Sequence, residues 1–203
     1  MIYRIERGYY VPAKDIGCSA VVFNSLGDLD GSLKLCRERN VAVQAGGNFG
    51  VWPKYLSEIF KTVYTFEPDA LNFSCLCRNI GDVQNIIKFQ AALGDGAGGV
   101  DLHRREENAG AHYIDGVGPI PILKIDALAL TACDLIVLDI EGFELPALRG
   151  AIETIKKCHP VIHIEDKGMS EKYGIKQGDA EKWLSQFGYT VKDRPARDVI
   201  LSC

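Results

Sequence analysis

The chain has 203 residues, of which 47% are hydrophobic and 25% are charged, so its size and composition are those of a globular protein with one domain. Its formal net charge of −4, from 23 basic and 27 acidic residues, offers no excess of positive charge for phosphates and argues against a nucleic-acid partner. No apolar run approaches the ~20 residues of a membrane-spanning helix, and the N-terminus lacks the apolar core of a secretory signal. We therefore expect a cytoplasmic protein with no membrane partner.

The first 40 residues match no element of a nucleotide-binding fold. The spacing of Leu29, Leu33 and Cys36 predicts one short helix that ends by Asn40. The aromatic pair at 9–10 has two interpretations that the sequence leaves open: it covers the mouth of a ligand crevice, or it clips the head segment to the edge of a sheet.

A glycine loop between two predicted strands is the strongest feature of the chain. The apolar run Val41–Ala45 is followed by the glycine-rich turn Gly46–Gly50 and by a helix whose apolar positions recur from 52 to 60. The next strand, Val63–Phe66, ends at Glu67. Glycines let the backbone approach a ligand closely, and an acid at the end of the second strand can accept hydrogen bonds from ribose hydroxyls. This arrangement predicts a nucleoside site, although its G-G-N-F-G spacing departs from the G-x-G-x-x-G of dinucleotide sites.

The stretch from 86 to 125 first continues and then interrupts the alternation of strands and helices. Ile86–Ala91 is the predicted third strand, and Ile120–Ile125 is predicted to return as a strand. Residues 96–120 between them are long and polar, which is typical of a functional loop. Asn108 and His112 in this loop could reach a reaction centre, but we expect His112 to be exposed to solvent.

Acidic residues follow the next predicted strand, Asp134–Asp139. Asp139 and Glu141 lie at its carboxyl end, where ligands bind in open α/β sheets. A carboxylate crowded by another acid has a raised pKa that suits a general base. The alternative for Glu141 is that it only stabilises the start of the following helix through the helix dipole.

The strand Val161–Glu165 places His163 and Glu165 on one face, near its carboxyl end. The pair is predicted to bind or deprotonate a hydroxyl, and a purely structural pair is an equal alternative. Asp139, Glu141 and Glu165 could together supply oxygen ligands for Mg²⁺, but their spacing does not require a metal. The seven cysteines are scattered without a C-x-x-C pair, so we expect reduced, buried thiols and no zinc site.

The remaining elements complete an α/β fold. One helix is predicted across 145–155, and a second is predicted to be capped by Asp179 and ended by Gly188. Tyr189–Asp193 and Asp198–Ser202 form a predicted hairpin. The pattern predicts a single-domain, Rossmann-like α/β fold, with a mostly parallel seven-stranded sheet and a terminal antiparallel hairpin.

Taken together, these segments resemble the FkbM family of S-adenosylmethionine (SAM)-dependent methyltransferases, which have the class I methyltransferase fold. The matching pieces are QAGGNFG (44–50), TFEPD (65–69), ALGD (92–95), LDIEGFELPALRGA (138–151) and HPVIHIE (159–165). The resemblance implies one SAM-binding domain over 1–203, with a head segment at 1–40 and a Rossmann-like core at 41–203. It also implies the strand order 3-2-1-4-5-7-6 and the product S-adenosylhomocysteine (SAH).

The resemblance assigns roles to individual residues of this chain. The implied cofactor-binding residues are Gln44, Gly46, Asn48, Gly50, Glu67, Ala92 and Asp139, and the implied catalytic residues are Asp139, Glu141 and His163. Ala92 is placed at the adenine edge. Gln44 stands where this loop commonly has an aspartate, and an uncharged amide should bind the SAM ammonium more weakly.

The implied activity is O-methylation of a hydroxyl on a sugar or another small molecule. Two alternatives from other classes stay open at this stage. A non-catalytic nucleoside-binding module of the same fold would be consistent with Gln44, and an NAD-dependent dehydrogenase would use Glu67 on a ribose in the same way.

Overall fold

The structure is a computed structural model that describes residues 2–203. The strands are β1 (Tyr3–Glu6), β2 (Tyr9–Pro12), β3 (Val41–Ala45), β4 (Thr62–Phe66), β5 (Ile86–Phe89), β6 (Ala92–Leu93), β7 (Gly99–His103), β8 (Tyr113–Val117), β9 (Ile120–Leu123), β10 (Leu135–Leu138), β11 (Val161–Glu165), β12 (Thr190–Asp193) and β13 (Asp198–Ser202). The helices are α1 (Cys18–Val22), α2 (Asp30–Leu35), α3 (Val51–Ser57), α4 (Ala70–Asn79), α5 (Glu144–Arg149), α6 (Ile152–Cys158) and α7 (Asp179–Ser185), with short 3-10 helices at Leu26–Leu29, Ile125–Leu128 and Met169–Tyr173.

A seven-stranded sheet in the order β12-β13-β11-β10-β3-β4-β5 forms the centre of the molecule. The strands from β11 to β5 pair in parallel, and β13 pairs antiparallel with both β11 and β12. Numbered along the chain within this sheet, the order is 3-2-1-4-5-7-6, so the predicted fold class and strand order are confirmed.

Helices cover both faces of this sheet, which explains why its central strands are apolar on both sides. All four residues of β10 are buried. Alternate residues of β3 enter different cores: Ala42 packs with α2, α3 and α4 on one face, whereas Val43 packs with α5, α6 and α7 on the other. The sheet therefore holds its carboxyl edge rigidly between two packed layers.

The segment at 96–120 is more ordered than its composition predicts. It contributes β7 and β8 to a second sheet with the order β6-β9-β7-β8. Val100, Leu102 and Ile120 are buried in a small core of this sheet, which supplies the apolar contacts that hold the strands. The expectation of one long loop is therefore wrong where β7 and β8 form, and the longest irregular part that remains is 104–112.

Two helix predictions are also corrected. The helix expected across 145–155 is divided into α5 and α6 at Gly150, where a Cβ would lie 2.2 Å from the backbone oxygen of Gly94. Close packing against the β6 end therefore overrides helical continuity. Asp179 does not cap α7, because Gly178 holds the N-cap position with a φ of +85°, and the Asp179 carboxylate instead accepts a hydrogen bond from the Lys176 backbone N–H at 2.9 Å.

The head segment forms the β1–β2 hairpin and α1, and the hairpin lies against α4. The side chain of Asn79 on α4 accepts a hydrogen bond from the backbone N–H of Tyr10 and donates one to the backbone oxygen of Tyr10. The hairpin is thus fastened to a helix and not to the edge of a sheet, and neither residue of the pair lines the cavity described below. Across residues 2–203, the cysteines are all free thiols, and no helix is long and apolar enough to cross a membrane.

Candidate active site

A cavity of about 480 Å³ opens at the carboxyl edge of the central sheet. Its wall is formed by the segments that follow β3, β4, β10 and β11, by β6, and by the first residue of β13. The head segment and residues 108–114 close it from the outside. Topology alone therefore brings together side chains that are far apart in the sequence.

The glycine loop forms the floor of the cavity. Gly46 has a φ of +81°, and a Cβ at this position would lie 2.1 Å from the backbone oxygen of Asp139. The backbone N–H groups of Gly46 and Gly47 both donate to the oxygen of Phe66. The loop is thus held between β4 and β10, and only glycine fits at its first turn.

Glu67 is fastened to this loop at the end of β4. Its Oε2 accepts a hydrogen bond from the Asn48 backbone N–H at 2.7 Å, and its Oε1 accepts one from the Asp69 backbone N–H at 2.8 Å. The side chain borders the cavity although the residue is only 5% exposed. Burial raises the pKa of Glu67 to about 8, against the lowering effect of the two backbone hydrogen bonds.

Two residues of the predicted cofactor set lie behind the cavity wall. Gln44 is fully buried: its amide nitrogen donates to the backbone oxygen of Gly46 at 2.9 Å, and its amide oxygen accepts from the Thr65 hydroxyl at 2.7 Å. Gly50, at φ +93°, begins α3 and packs against Leu76 and Ile80 of α4. Neither residue lines the cavity, and both brace the loop from behind, so their predicted contact with the cofactor stays a prediction.

The wall on the β6 side is apolar. Ala91, Ala92 and Leu93 are buried there, and Pro68 and Leu102 complete this end. Ala92, predicted to lie at the adenine edge, is thus part of the cavity wall.

Carboxylates meet at the opposite side of the glycine loop. Asp139 and Glu141 follow β10, Glu165 ends β11, and one oxygen from each lies within 4.8 Å of the others. Burial, together with the neighbouring Glu165 and Glu141 carboxylates, raises the pKa of Asp139 well above its ordinary range. The Lys167 ammonium lies 3.0 Å from Glu141 Oε1 and 2.7 Å from Glu165 Oε2. An ammonium therefore already neutralises two of the three groups that were candidate Mg²⁺ ligands.

Glu141 does not have the helix-stabilising role that was the alternative to a role in the site. Glu141 adopts a left-handed backbone conformation, with a φ of +57°, and its side chain borders the cavity. Glu144 instead accepts hydrogen bonds from the backbone N–H groups of Ile140 and Gly142 at the start of α5. Burial raises the pKa of Glu144 to about 7.

His163, predicted to be catalytic, does not line the cavity. It is 1% exposed and lies under α2, where its Nδ1 is 2.6 Å from the Ser32 hydroxyl. Its Nε2 is 3.1 Å from Oδ2 of Asp198, which does border the cavity. His163 can therefore influence the cavity only through this neighbour.

Asn108 and His112 both border the cavity, as their place in the irregular segment allowed. His112 is half-buried rather than exposed, and burial lowers the pKa of its imidazole. Asp15 in the head segment is fully buried and ties this segment down, since it accepts hydrogen bonds from the backbone N–H groups of Cys18, Ser19 and Ala109.

Several wall residues were missed from the sequence, namely Cys18, Asp28, Lys167, Arg197 and Asp198. A signal existed for two of them. Lys167 comes two residues after a strand whose carboxyl end was already placed at the site. Asp198 begins the antiparallel strand of the predicted hairpin, and an antiparallel strand starts at the edge where its parallel neighbour ends.

With this geometry established, comparison with known families is decisive. The family model "Methyltransferase FkbM domain" matches residues 44–191. The chain belongs to the FkbM methyltransferase family. Membership supports SAM-dependent methylation in general and leaves the acceptor unspecified. None of the curated protein sequences matches the chain.

Solved structures agree on the fold. The FkbM methyltransferase from Methylobacillus flagellatus KT is 20% identical, with a TM-score of 0.55 over 83% of this chain and 45% of that one. This chain thus spans less than half the length of that relative. A SAM-dependent methyltransferase from Aquifex aeolicus is 11% identical, with a TM-score of 0.51 over 91% and 92% of the two chains. A precorrin 8W decarboxylase from Methanobacterium thermoautotrophicum is 13% identical, with a TM-score of 0.52 over 94% and 97%.

Proposed function

We propose that this FkbM-family chain transfers a methyl group from SAM to a hydroxyl oxygen of a small, sugar-like acceptor. The observation that carries the proposal is that one cavity holds Glu67 at one side of the glycine loop and Asp139 at the other. The first is suited to a ribose and the second to a sulfonium and an acceptor hydroxyl.

The nucleoside half has the donor and acceptor groups that SAM requires. A carboxylate has about four acceptor positions, and the Asn48 and Asp69 N–H groups use only part of this capacity on Glu67. The rest is available to the two ribose hydroxyls. Ala92 and its apolar neighbours fit the adenine, and Gly46 leaves the space that a Cβ would fill.

The carboxylate side is suited to positive charge. When bound, SAM supplies an electrophilic methyl group on a positively charged sulfur. Asp139, Glu141 and Glu165 would stabilise that charge, because opposite charges attract more strongly in a partly enclosed cavity than in open water. A nearby cation would in turn favour the ionised form of Asp139, which holds its proton unusually strongly without one.

Asp139 is the proposed proton acceptor for the hydroxyl. Its raised pKa makes it a stronger base than an exposed aspartate, and a positioned base contributes typically ~10²–10⁴-fold. Most of the remaining acceleration is expected from alignment and from exclusion of water by the head segment and residues 108–114. Gln44, which had favoured a non-catalytic module, has a bracing role that is compatible with catalysis.

Calorimetric titration with SAM, SAH and NAD tests the cofactor. We expect binding of SAM and SAH and none of NAD, and a preference for NAD would reinstate the dehydrogenase alternative. Transfer from radiolabelled SAM to a panel of hydroxyl acceptors tests catalysis. Tight SAH binding with no transfer to any alcohol, and transfer to amines or thiols instead, would contradict O-methylation.

A further inference from the structure

We propose that the Lys167 ammonium is the resident cation of the carboxylate group formed by Asp139, Glu141 and Glu165, at the place where a divalent metal ion would otherwise bind. Methyl transfer by this chain therefore needs no divalent metal, and the ammonium contacts the acceptor oxygen in place of one. The inference rests on the proposed function and goes beyond it, because it assigns the source of positive charge at the reacting centre.

The three carboxylates have the spacing of a cation site. One oxygen from each lies within 4.8 Å of the other two. Ligand oxygens on opposite sides of a Ca²⁺ ion are about 4.6–5.2 Å apart, because each Ca–O distance is about 2.3–2.6 Å. Acids that are withdrawn from water without a positive partner are costly. The group therefore requires a cation, and either a metal ion or a basic side chain can supply it.

Lys167 supplies this cation. Its Nζ donates a hydrogen bond to Glu141 Oε1 at 3.0 Å and forms an ion pair with Glu165 Oε2 at 2.7 Å. The two carboxylate side chains are 9% and 10% exposed, so water screens these contacts only weakly. A metal ion bound by the same oxygens would lie against the ammonium, and the two positive charges would repel each other. Lys167 therefore excludes a metal ion from the group.

The side chain also keeps its charge. Burial lowers the pKa of Lys167, but the Glu165 and Glu141 carboxylates outweigh this effect and raise the pKa above its ordinary value. Lys167 is therefore a permanent cation at neutral pH and not a candidate for the base that takes up the proton of the acceptor.

The backbone on both sides of the ion pair is fixed. Asp166, the residue before Lys167, donates its N–H to the backbone oxygen of Arg197 at 2.9 Å, and its carboxylate accepts from the N–H of Gly178 at 2.9 Å. Glu141 approaches from the other side in a left-handed conformation with a φ of +57°, which few residues other than glycine adopt. The contact therefore does not depend on a chance conformation of a long, flexible side chain.

The ammonium has a donor left for the acceptor. It carries three N–H groups, and within residues 2–203 its contacts with Glu141 and Glu165 leave one of them for the cavity, which Lys167 borders together with Asp139. An acceptor hydroxyl can then donate to Asp139 and accept from Lys167. As the oxygen bonds to the methyl carbon, the hydroxyl proton passes to Asp139 and the electron pair of the broken carbon–sulfur bond stays on sulfur. Lys167 keeps its proton and stabilises the negative charge that develops on the oxygen, as a metal ion would.

The first experiment measures binding of Ca²⁺ and Mg²⁺, added as chlorides, by calorimetry. Lys167→Met removes the charge and keeps an unbranched side chain, so it should bind Ca²⁺ at least about tenfold more tightly than the unmodified chain does. Lys167→Arg keeps the charge and should match the unmodified chain. Addition of Glu165→Gln to Lys167→Met removes one ligand and should abolish the gain. The exposed Lys182→Met is the matched control and should show no gain.

The second experiment measures transfer from radiolabelled SAM to the panel of hydroxyl acceptors. The unmodified chain should transfer at the same rate with and without EDTA. Lys167→Met should lower kcat/KM for the acceptor at least about tenfold, and Lys167→Arg should be faster than Lys167→Met, because it again places a cationic donor beside the oxygen. Lys182→Met should transfer as the unmodified chain does.

Two results on the unmodified chain would overturn the proposal, and neither requires that Lys167→Met folds. They are binding of Ca²⁺ or Mg²⁺ that Glu165→Gln abolishes, and inhibition of transfer by EDTA that added metal reverses. Equal Ca²⁺ affinity in folded Lys167→Met and Lys182→Met would also overturn it.

Failure of the proposed function gives a different pattern. Absence of SAH binding by the unmodified chain, or SAM binding without transfer to any alcohol, would contradict the proposed function. The Ca²⁺ titrations require neither SAM nor an acceptor, so they decide independently whether Lys167 holds the place of a metal ion.

Discussion

Oε2 of Glu67 accepts a hydrogen bond of 2.7 Å from the backbone N–H of Asn48, and this bond joins the end of β4 to the turn of the glycine loop. Asn48 has a φ of +49°, a left-handed conformation that points its N–H at the carboxylate. One acid therefore shapes the loop and faces the ribose position at the same time.

Above pH 8, where Glu67 with its pKa of about 8 is ionised, replacing it with Gln should weaken SAH binding by about 1.5–3 kcal/mol, the usual contribution of a hydrogen bond to a charged group. The amide keeps one acceptor oxygen but loses the second and the charge. Calorimetry measures the change, and the exposed Glu38→Gln serves as the matched control. Undiminished SAH affinity in Glu67→Gln would remove Glu67 from the ribose site.

Replacing Asp139 with Asn should act on turnover. The amide preserves the shape of the side chain but cannot accept the proton of the acceptor hydroxyl, so kcat should fall by roughly 10²–10⁴-fold. Affinity for SAH, which lacks the sulfonium charge, should stay close to that of the unmodified chain. Steady-state kinetics with an acceptor and SAH titration on the same preparation make the comparison. Normal turnover would assign the proton to another group.

The meeting of the glycine loop, Glu67 and Asp139 at one cavity could be predicted from the sequence, because the signals for it are local. Val41–Ala45 and Val63–Phe66 are apolar, the glycines mark the turn, and Glu67 and Asp139 end their strands. A general rule of parallel sheets then brings strand ends to one edge. No knowledge of distant packing is required for that step.

The errors arise where distant packing decides the outcome. The alternation of side chains correctly puts His163 and Glu165 on one face of β11. His163 lies two residues before Glu165, however, and is further from the carboxyl end of the strand. There α2 covers it, with a contact from Ser32. The helix α2 is itself part of the head segment, whose sequence carries no recognisable motif. Gln44 faces Thr65 in the neighbouring strand for a similar reason, because the register between β3 and β4 sets its surroundings.

The folded protein should lose stability as the pH rises through the acidic and neutral range. Burial raises the pKa of Glu67 from 4.5 to about 8 and that of Glu144 from 4.5 to about 7. Between these limits the folded state binds more protons than the unfolded state, so each carboxyl steepens the fall by up to about 1.4 kcal/mol per pH unit.

Urea unfolding of the SAH-free protein at pH 5, 6, 7 and 8 measures this dependence. Glu67→Gln should flatten the curve up to about pH 8, and Glu144→Gln should flatten it only below about pH 7. Glu38→Gln should follow the unmodified chain. Parallel curves for all four proteins would mean that neither buried carboxyl holds its proton more strongly than in the unfolded chain.

The last prediction concerns Gly46, where backbone conformation and lack of space coincide. An alanine there would take a left-handed conformation at φ +81° and place its Cβ 2.1 Å from the backbone oxygen of Asp139. The conformation costs about 1–2 kcal/mol and the forced displacement about 1–3 kcal/mol, so Gly46→Ala should destabilise the fold by about 2–5 kcal/mol. Gly96→Ala is the matched control, because no atom lies within 4 Å of its added Cβ.

The displaced strand end carries Asp139, so the surviving folded fraction of Gly46→Ala should also bind SAH more weakly, whereas Gly96→Ala should bind it normally. Unfolding curves and SAH titration of both variants test the two effects separately. Equal stability and equal SAH affinity in the two variants would show that the loop does not rest against β10.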